Sequence, residues 1–190
     1  WLPVLLSLSA NSPYLEGEEG ALSGRAQRLS ELPRAEAPPA FGSWEEFEAF
    51  ARQRDFDRMW WDARPHPGYG TLEVRIADQQ TDVRRSAGFA ALVQALAASA
   101  AEGEGAPEPY DRVLYARRRA AAALAPPDPD DVGRLAAFVE PAARRLGGWR
   151  LVTELLAGRP ECERQLEVGR AEGLRAVTAD LVARSRLRSD

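Results

Sequence analysis

Along residues 71–76 the apolar side chains Leu72, Val74 and Ile76 alternate with Thr71, Glu73 and Arg75, which is the period of a half-buried β-strand. A second alternating run, "MWWDARPH" at 59–66, precedes it across the turn "PGYG", so together they predict a β-hairpin over about 60–78. In the first run Trp60, Asp62, Arg64 and His66 share one face, and Pro65 marks an edge or a bulge. "SWEEFEAFARQRDF" predicts a helix. Ser43 is a good N-cap, Glu46 follows three residues later as in a capping box, and Trp44, Phe47 and Phe50 form the apolar stripe. The opening "WLPVLLSLSA" reads as the end of a buried helix stopped by "NSP".

After about residue 82 the pattern is helical. "VRRSAGFAALVQALAASAA" is apolar on most sides and predicts a buried helix. Val132, Leu135, Ala136, Val139, Ala142, Ala143 and Leu146 recur at three- and four-residue steps, with Pro141 expected to kink or divide their helix. "GWRLVTELLAG" and "LRAVTADLVARSRL" complete a mostly helical region over 82–190. Residues 14–43, rich in Gly, Glu and Pro, predict one long loop. A two-stranded hairpin is rarely stable alone, so the expected architecture is α+β: part of a larger antiparallel sheet with a helical layer. The chain opens on Trp1 rather than Met and is read as a piece of a longer polypeptide.

Composition narrows the classes. With 190 residues and 45% hydrophobic content the chain can form one good core. A net charge of −4 gives no global attraction to nucleic acid or anionic lipid, and Arg117-Arg118-Arg119 is read as a solvated helix face. The apolar opening is too short to span a membrane, and the cytoplasm is the default location. Cys162 is the only cysteine, so no internal disulfide forms. The five tryptophans are expected to anchor cores, Trp60 alone facing a site.

Two readings of the polar hairpin face are open on spacing alone. Glu73 and Arg75 lie on one face, roughly 7 Å apart at the usual strand rise. They can be solvated charges pairing across strands. They can also be a phosphate-and-metal site: a carboxylate is a hard ligand suited to Mg²⁺, and an arginine forks onto phosphoryl oxygens.

The succession "LSANSP" at 8–13, "SGRAQ" at 23–27 and "WWDARPHPGYGTLEVRIADQQT" at 60–81 resembles the type 2 glutamate–cysteine ligases, the bacterial carboxylate–amine ligases. The core Glu73-x-Arg75-x-x-Asp78 also resembles plant glutamate–cysteine ligases and, more loosely, glutamine synthetase. "DR" at 111–112 and "ERQ" at 163–165 fall where that family has short polar motifs. The resemblance implies the C-terminal portion of a single catalytic domain with a glutamine-synthetase-like sheet, its N-terminal half upstream. It implies an ATP- and Mg²⁺-dependent ligase that joins the γ-carboxylate of glutamate to the amine of cysteine or another small acceptor through an acyl phosphate. A homodimer would be in keeping with it.

Carried over by position, Glu73 is the catalytic, metal-binding carboxylate and Arg75 the catalytic, nucleotide-contacting arginine, with Arg64 also on the cofactor. Arg25, Asn11, Ser12 and His66 fall to substrate binding, in the long loop 14–43 and its neighbours. The family's further metal-binding glutamates are expected upstream, so the isolated segment is expected to be inactive. The chain departs from the pattern at Gly24, where an aromatic is usual, and at Leu29, where a tryptophan is. Glu18 and Glu19 replace a Thr-Gly and basic stretch. These departures favour an alternative, a non-catalytic or regulatory relative that keeps the fold.

Overall fold

In a computed structural model, which describes residues 1–32, 39–55, 59–66, 68–103 and 111–186, the apolar opening run forms α1 (Leu2–Ser9). Leu5, Leu6 and Leu8 of α1 are buried, as a helix apolar on most sides must be. Residues 14–32 are not the single long loop expected. They hold a minimal hairpin, β1 (Tyr14–Leu15) and β2 (Glu18–Glu19), and a short helix, α2 (Gly24–Ser30). Gly17 turns the hairpin with a φ of 89°, a conformation glycine adopts without steric cost. Residues 33–38 of that expected loop lie outside the described residues.

The helix expected after Ser43 is α3 (Trp44–Arg52), with the Ser43 hydroxyl accepting from the Glu46 amide at 3.2 Å. The reciprocal bond of a capping box is displaced by one residue, since the Glu46 carboxylate takes the Gly42 amide at 2.7 Å. Phe47, Ala51, Met59 and Trp61 form a small core with Phe41 and Phe50 against it.

The predicted hairpin is β3 (Ala63–His66) against β4 (Thr71–Val74), antiparallel, with Arg64 opposite Glu73 and His66 opposite Thr71. It is shorter than the expected 60–78 for a local reason. The Asp62 carbonyl accepts from two successive amides, Arg75 at 2.7 Å and Ile76 at 3.0 Å, so the one-to-one ladder ends there. Among the described residues no further strand joins it. The chain is mixed α/β, mostly helical, with two small two-stranded antiparallel sheets.

The main core is helical. α4 (Val83–Ala101) packs against α6 (Pro129–Arg145) and α7 (Trp149–Ala157), burying Phe89, Leu92 and Ala95 against Leu135, Val139, Ala142, Ala143, Val152 and Leu155. Leu5, Leu6, Leu8 and Ile76 join the same cluster, which fixes the loop after β4 to the helical body. α5 (Arg112–Ala122) contacts α1, while α8 (Glu161–Glu172) pairs with α9 (Leu174–Ser185). Of the two expectations for Pro141, a kink or a division, the division does not occur: α6 runs through it. Its missing N–H costs one helical bond, but buried side chains on both sides of it, Val139 and Ala142, hold the helix in the core. Trp61 is a core residue as expected, whereas Trp1 and Trp44 are more than 40% exposed.

Two glycines mark close approaches. A Cβ on Gly88 would stand 2.9 Å from Leu155 Cβ and 3.1 Å from the Leu151 carbonyl oxygen, so α4 and α7 meet with no room for a side chain. On α8, a Cβ on Gly169 would overlap the Tyr14 ring, and the neighbouring Arg170 pairs with Glu19. The minimal hairpin is thus held against α8. Gly88→Val is expected to lower the unfolding free energy by about 1–3 kcal/mol through overpacking, as measured by denaturant titration.

Candidate functional site at the end of the hairpin

Direct cross-strand pairing brings the polar face together. Arg64 Nε donates to Glu73 Oε2 at 2.7 Å, and Arg75 Nη1 lies 3.9 Å from the same oxygen. The Arg64 side chain is buried and its Nη1 also donates to the Met59 carbonyl, so Glu73 is held by a fixed cation rather than a mobile surface one. That hydrogen bond, with the charges of Arg64, Arg75 and His66, keeps the Glu73 carboxyl below the usual carboxylate range despite partial burial. A lowered folded value means that the stabilisation is present above the ordinary carboxylate range and is lost as pH falls through the lowered one. Arg75 lies over the Trp60 ring, 5.3 Å from its centroid, which steadies its guanidinium. Glu73 and Arg75 are each about one-third exposed, neither walled off nor loose in solvent. His66 stands at the end of the hairpin, its ring 4.3 Å from that of Tyr69.

The other sequence-predicted residues converge on Asp78. Its buried carboxylate takes four hydrogen bonds: the Asn11 amide (2.9 Å) and Ser12 hydroxyl (2.8 Å) on Oδ2, the Ser23 hydroxyl (2.8 Å) and Arg25 Nε (2.8 Å) on Oδ1. Arg25 Nη2 reaches the carbonyls of Arg75, Ile76 and Ala77 at 3.2, 2.6 and 3.0 Å. Arg25, Asn11 and Ser12 therefore lie beside the segment that leaves β4 through Arg75, with much of their hydrogen-bonding capacity given to Asp78 and the backbone. Gly24 explains one departure from the family pattern: a Cβ there would be 2.7 Å from the Ser12 carbonyl oxygen, which the Gly24 amide already binds at 2.8 Å. An aromatic at 24 would need a different loop.

The two short polar motifs have structural partners. Asp111 caps α5, accepting from the Val113 and Leu114 amides. In "ERQ", Glu163 pairs with Arg159, Arg164 with Asp180, and Gln165 reaches back to the Asn11 carbonyl at 2.8 Å.

Sequence patterning did not reveal that Asp62, Tyr115 and Arg119 form one cluster. Asp62 Oδ2 accepts from the Tyr115 hydroxyl and from Arg119 Nε, both at 2.6 Å. Arg119 is thus largely buried rather than part of a solvated basic face. The four-residue spacing of Tyr115 and Arg119 was the available signal, since it places both on one side of a helix. The cluster stands at a cleft of about 360 Å³ between α2 and α5, which Trp60 also lines.

Mg²⁺ takes oxygen ligands and keeps several from water and phosphate. Glu73 fits one such position, since Oε1 is not used by Arg64. Among the described residues no group of three or more His, Cys, Asp or Glu side chains converges on a metal position. Also among the described residues, no helix is long and apolar enough to cross a membrane. Cys162 is buried, and burial pushes its thiol up to about 11, so it is protonated and unreactive at neutral pH.

Comparison with known proteins identifies the family of the chain. The profile described as glutamate–cysteine ligase family 2 matches residues 1–126. A glutamate–cysteine ligase of Natronomonas pharaonis is 34% identical over 201 aligned positions, covering 95% of this chain and 55% of the relative. One of Haloferax volcanii is 36% identical over 165, covering 77% of this chain and 46% of the relative. A relative from Rubrobacter xylanophilus is 44% identical over 119, covering 58% of this chain and 32% of its own. The chain belongs to the glutamate–cysteine ligase family 2. It spans about a third to a half of the length of these relatives.

Asp78→Ala is expected to cost about 3–5 kcal/mol in denaturant unfolding, because it leaves Arg25 and two hydroxyls without their shared acceptor. Cys162 should resist a thiol-specific alkylating reagent in the folded protein at pH 7.5 and be modified quantitatively once unfolded, which mass spectrometry reads directly.

Proposed function

We propose that these residues are part of an ATP-dependent carboxylate–amine ligase that activates the γ-carboxylate of glutamate as an acyl phosphate. The amine of cysteine, or of another small acceptor, then displaces phosphate. The observation that carries this reading, beside family membership, is the Glu73–Arg75 pair, held on one face by the buried Arg64 and the Trp60 ring. Phosphoryl transfer asks the protein mainly for positioning and charge neutralisation, and a fixed carboxylate with a fork-shaped cation two residues on supplies both. Arg75 neutralises a phosphoryl oxygen of ATP. Glu73 provides one oxygen ligand to Mg²⁺, which offsets charge on the nucleotide's phosphates when bound. Arg64 keeps Glu73 ionised and aimed, and His66 lies at the hairpin end of the same face. Arg25, Asn11 and Ser12 shape the glutamate side of the site.

The remaining ligands for the cation fall to parts of the relatives' length that these residues do not span, so the 190-residue piece alone is expected to be inactive. A glutamine-synthetase-like sheet completed by those parts, an intracellular location and a homodimer belong to the same reading.

A second reading has one specific observation in its favour. Arg25 already binds Asp78 and three backbone carbonyls, which would suit a relative that keeps the fold without turnover. The assay that separates the two uses the natural polypeptide containing these residues with ATP, Mg²⁺ and glutamate, and follows ADP release as amines are added. Amine-dependent release is expected, falling about 10²–10³-fold in Glu73→Ala and in Arg75→Ala. Arg75→Lys should not restore it, because a point charge lacks the fork. Glutamate or nucleotide binding without turnover would favour the non-catalytic relative.

A further inference from the structure

The cleft between α2 and α5 has a chemistry that phosphate binding does not use. Much of its wall is small and apolar: Ala26 from α2, and Ala116, Ala120 and Ala123 at and beyond the face of α5, with the uncharged Gln27 and Ser30 of α2 beside them. One charged cluster breaks this lining. Asp62 uses a single carboxylate oxygen, Oδ2, to accept from both Tyr115 and Arg119. Among the described residues no donor reaches its Oδ1. Arg119 gives Nε to Asp62 and Nη1 to the Ala26 carbonyl at 3.3 Å, and Nη2 is engaged by neither. An acceptor and a donor of opposite charge thus stand side by side, each with one position left over, at the edge of a volume of about 360 Å³.

That pairing selects a ligand class. A simple cation would meet Arg119, and a simple anion would meet Asp62, so each would gain one charge contact and suffer one repulsion. A zwitterion with its ammonium and carboxylate on neighbouring atoms satisfies both. The alanine walls add room for a small side chain, and the uncharged Gln27 and Ser30 beside them offer hydrogen bonds but no counter-charge, which suits an uncharged one. Position completes the argument. Trp60 lines the cleft and carries the Arg75 guanidinium, and the Asp62 carbonyl binds the Arg75 amide, so the cleft shares a wall with the arginine read above as facing phosphate.

We propose that this cleft binds a small α-amino acid as its zwitterion, carboxylate on Arg119 Nη2 and ammonium on Asp62 Oδ1, and that Asp62 and Arg119 thereby set the acceptor specificity of the ligase. The acceptor role rests on the ligase reading; the binding site does not. Tyr115 is a positioning residue that holds Asp62 Oδ2.

The test is calorimetric titration of the natural polypeptide, without ATP, using L-cysteine, L-alanine, cysteamine and 3-mercaptopropionate. The amino acids should bind, and the analogues lacking the carboxylate or the amine should bind at least about tenfold more weakly, the loss of one charged hydrogen bond. Arg119→Gln should lose the discrimination against cysteamine, and Asp62→Asn that against 3-mercaptopropionate. Should either variant fail to fold, Ala120→Leu narrows the cleft from α5 without touching the ion pair, and it should weaken amino-acid binding about tenfold. Equal binding of all four compounds, or undiminished affinity in Ala120→Leu, overturns the proposal. The two readings fail separately. Amino-acid binding through Asp62 and Arg119 without ADP release would leave the cleft and remove the ligase. ADP release with an acceptor KM unchanged in Ala120→Leu and Arg119→Gln would do the reverse.

Discussion

The buried Asp78 carboxylate organises the part of the chain where the chemistry is read. A carboxylate at that depth is tolerated only if its oxygens are filled, and here they are filled from two separate stretches: Asn11 and Ser12 after α1, Ser23 and Arg25 at the start of α2. Because Arg25 also binds three consecutive carbonyls of the Arg75–Ala77 segment, the path of that segment depends on the same charge. The Asp78 amide in turn binds the Ser9 hydroxyl, and Gln80 binds the Ser9 carbonyl, which ties this point to the end of α1. The direction of the chain leaving β4 is therefore an electrostatic outcome as much as a packing one.

From that fixed point the hairpin face follows. Ile76 is buried in the helical core two residues before Asp78, and the doubled acceptance at the Asp62 carbonyl ends the ladder. Between these anchors Glu73 and Arg75 have little freedom, and Arg64 and Trp60 remove most of what is left. Glu73 is thus placed by the strand itself, and Arg75, one residue past its end, by the Asp62 carbonyl and the Trp60 ring.

How much of this the residues announced depends on the range over which each signal acts. Local signals were readable. Alternation over 71–76 marked the hairpin, apolar spacing over 132–146 marked α6, and Ser43 marked the start of α3. The pairing of Glu73 with Arg75 on one face followed from strand geometry alone. The misses were long-range. That Pro141 would leave its helix undivided could not be read locally, since tertiary burial sustains that helix against its own propensity. The small sheet and α2 inside residues 14–32 depend on Tyr14 meeting Gly169 and on Ser23 meeting Asp78, contacts no window of sequence contains. The joining of Arg119 with Asp62, 57 positions apart, is invisible for the same reason.

The contact of Tyr14 with Gly169, together with Glu19 on Arg170 and Gln165 on Asn11, reaches beyond the residues that the family profile recognises. The profile stops at 126, yet a chain cut there would lose the wall against which its own first loops are braced. Evolutionary bookkeeping and mechanical dependence thus draw different borders. The helix pair over 161–185 therefore helps to set where the loops carrying Asn11 and Glu19 lie, so a substitution there acts on the front of the chain without touching a residue of the profile.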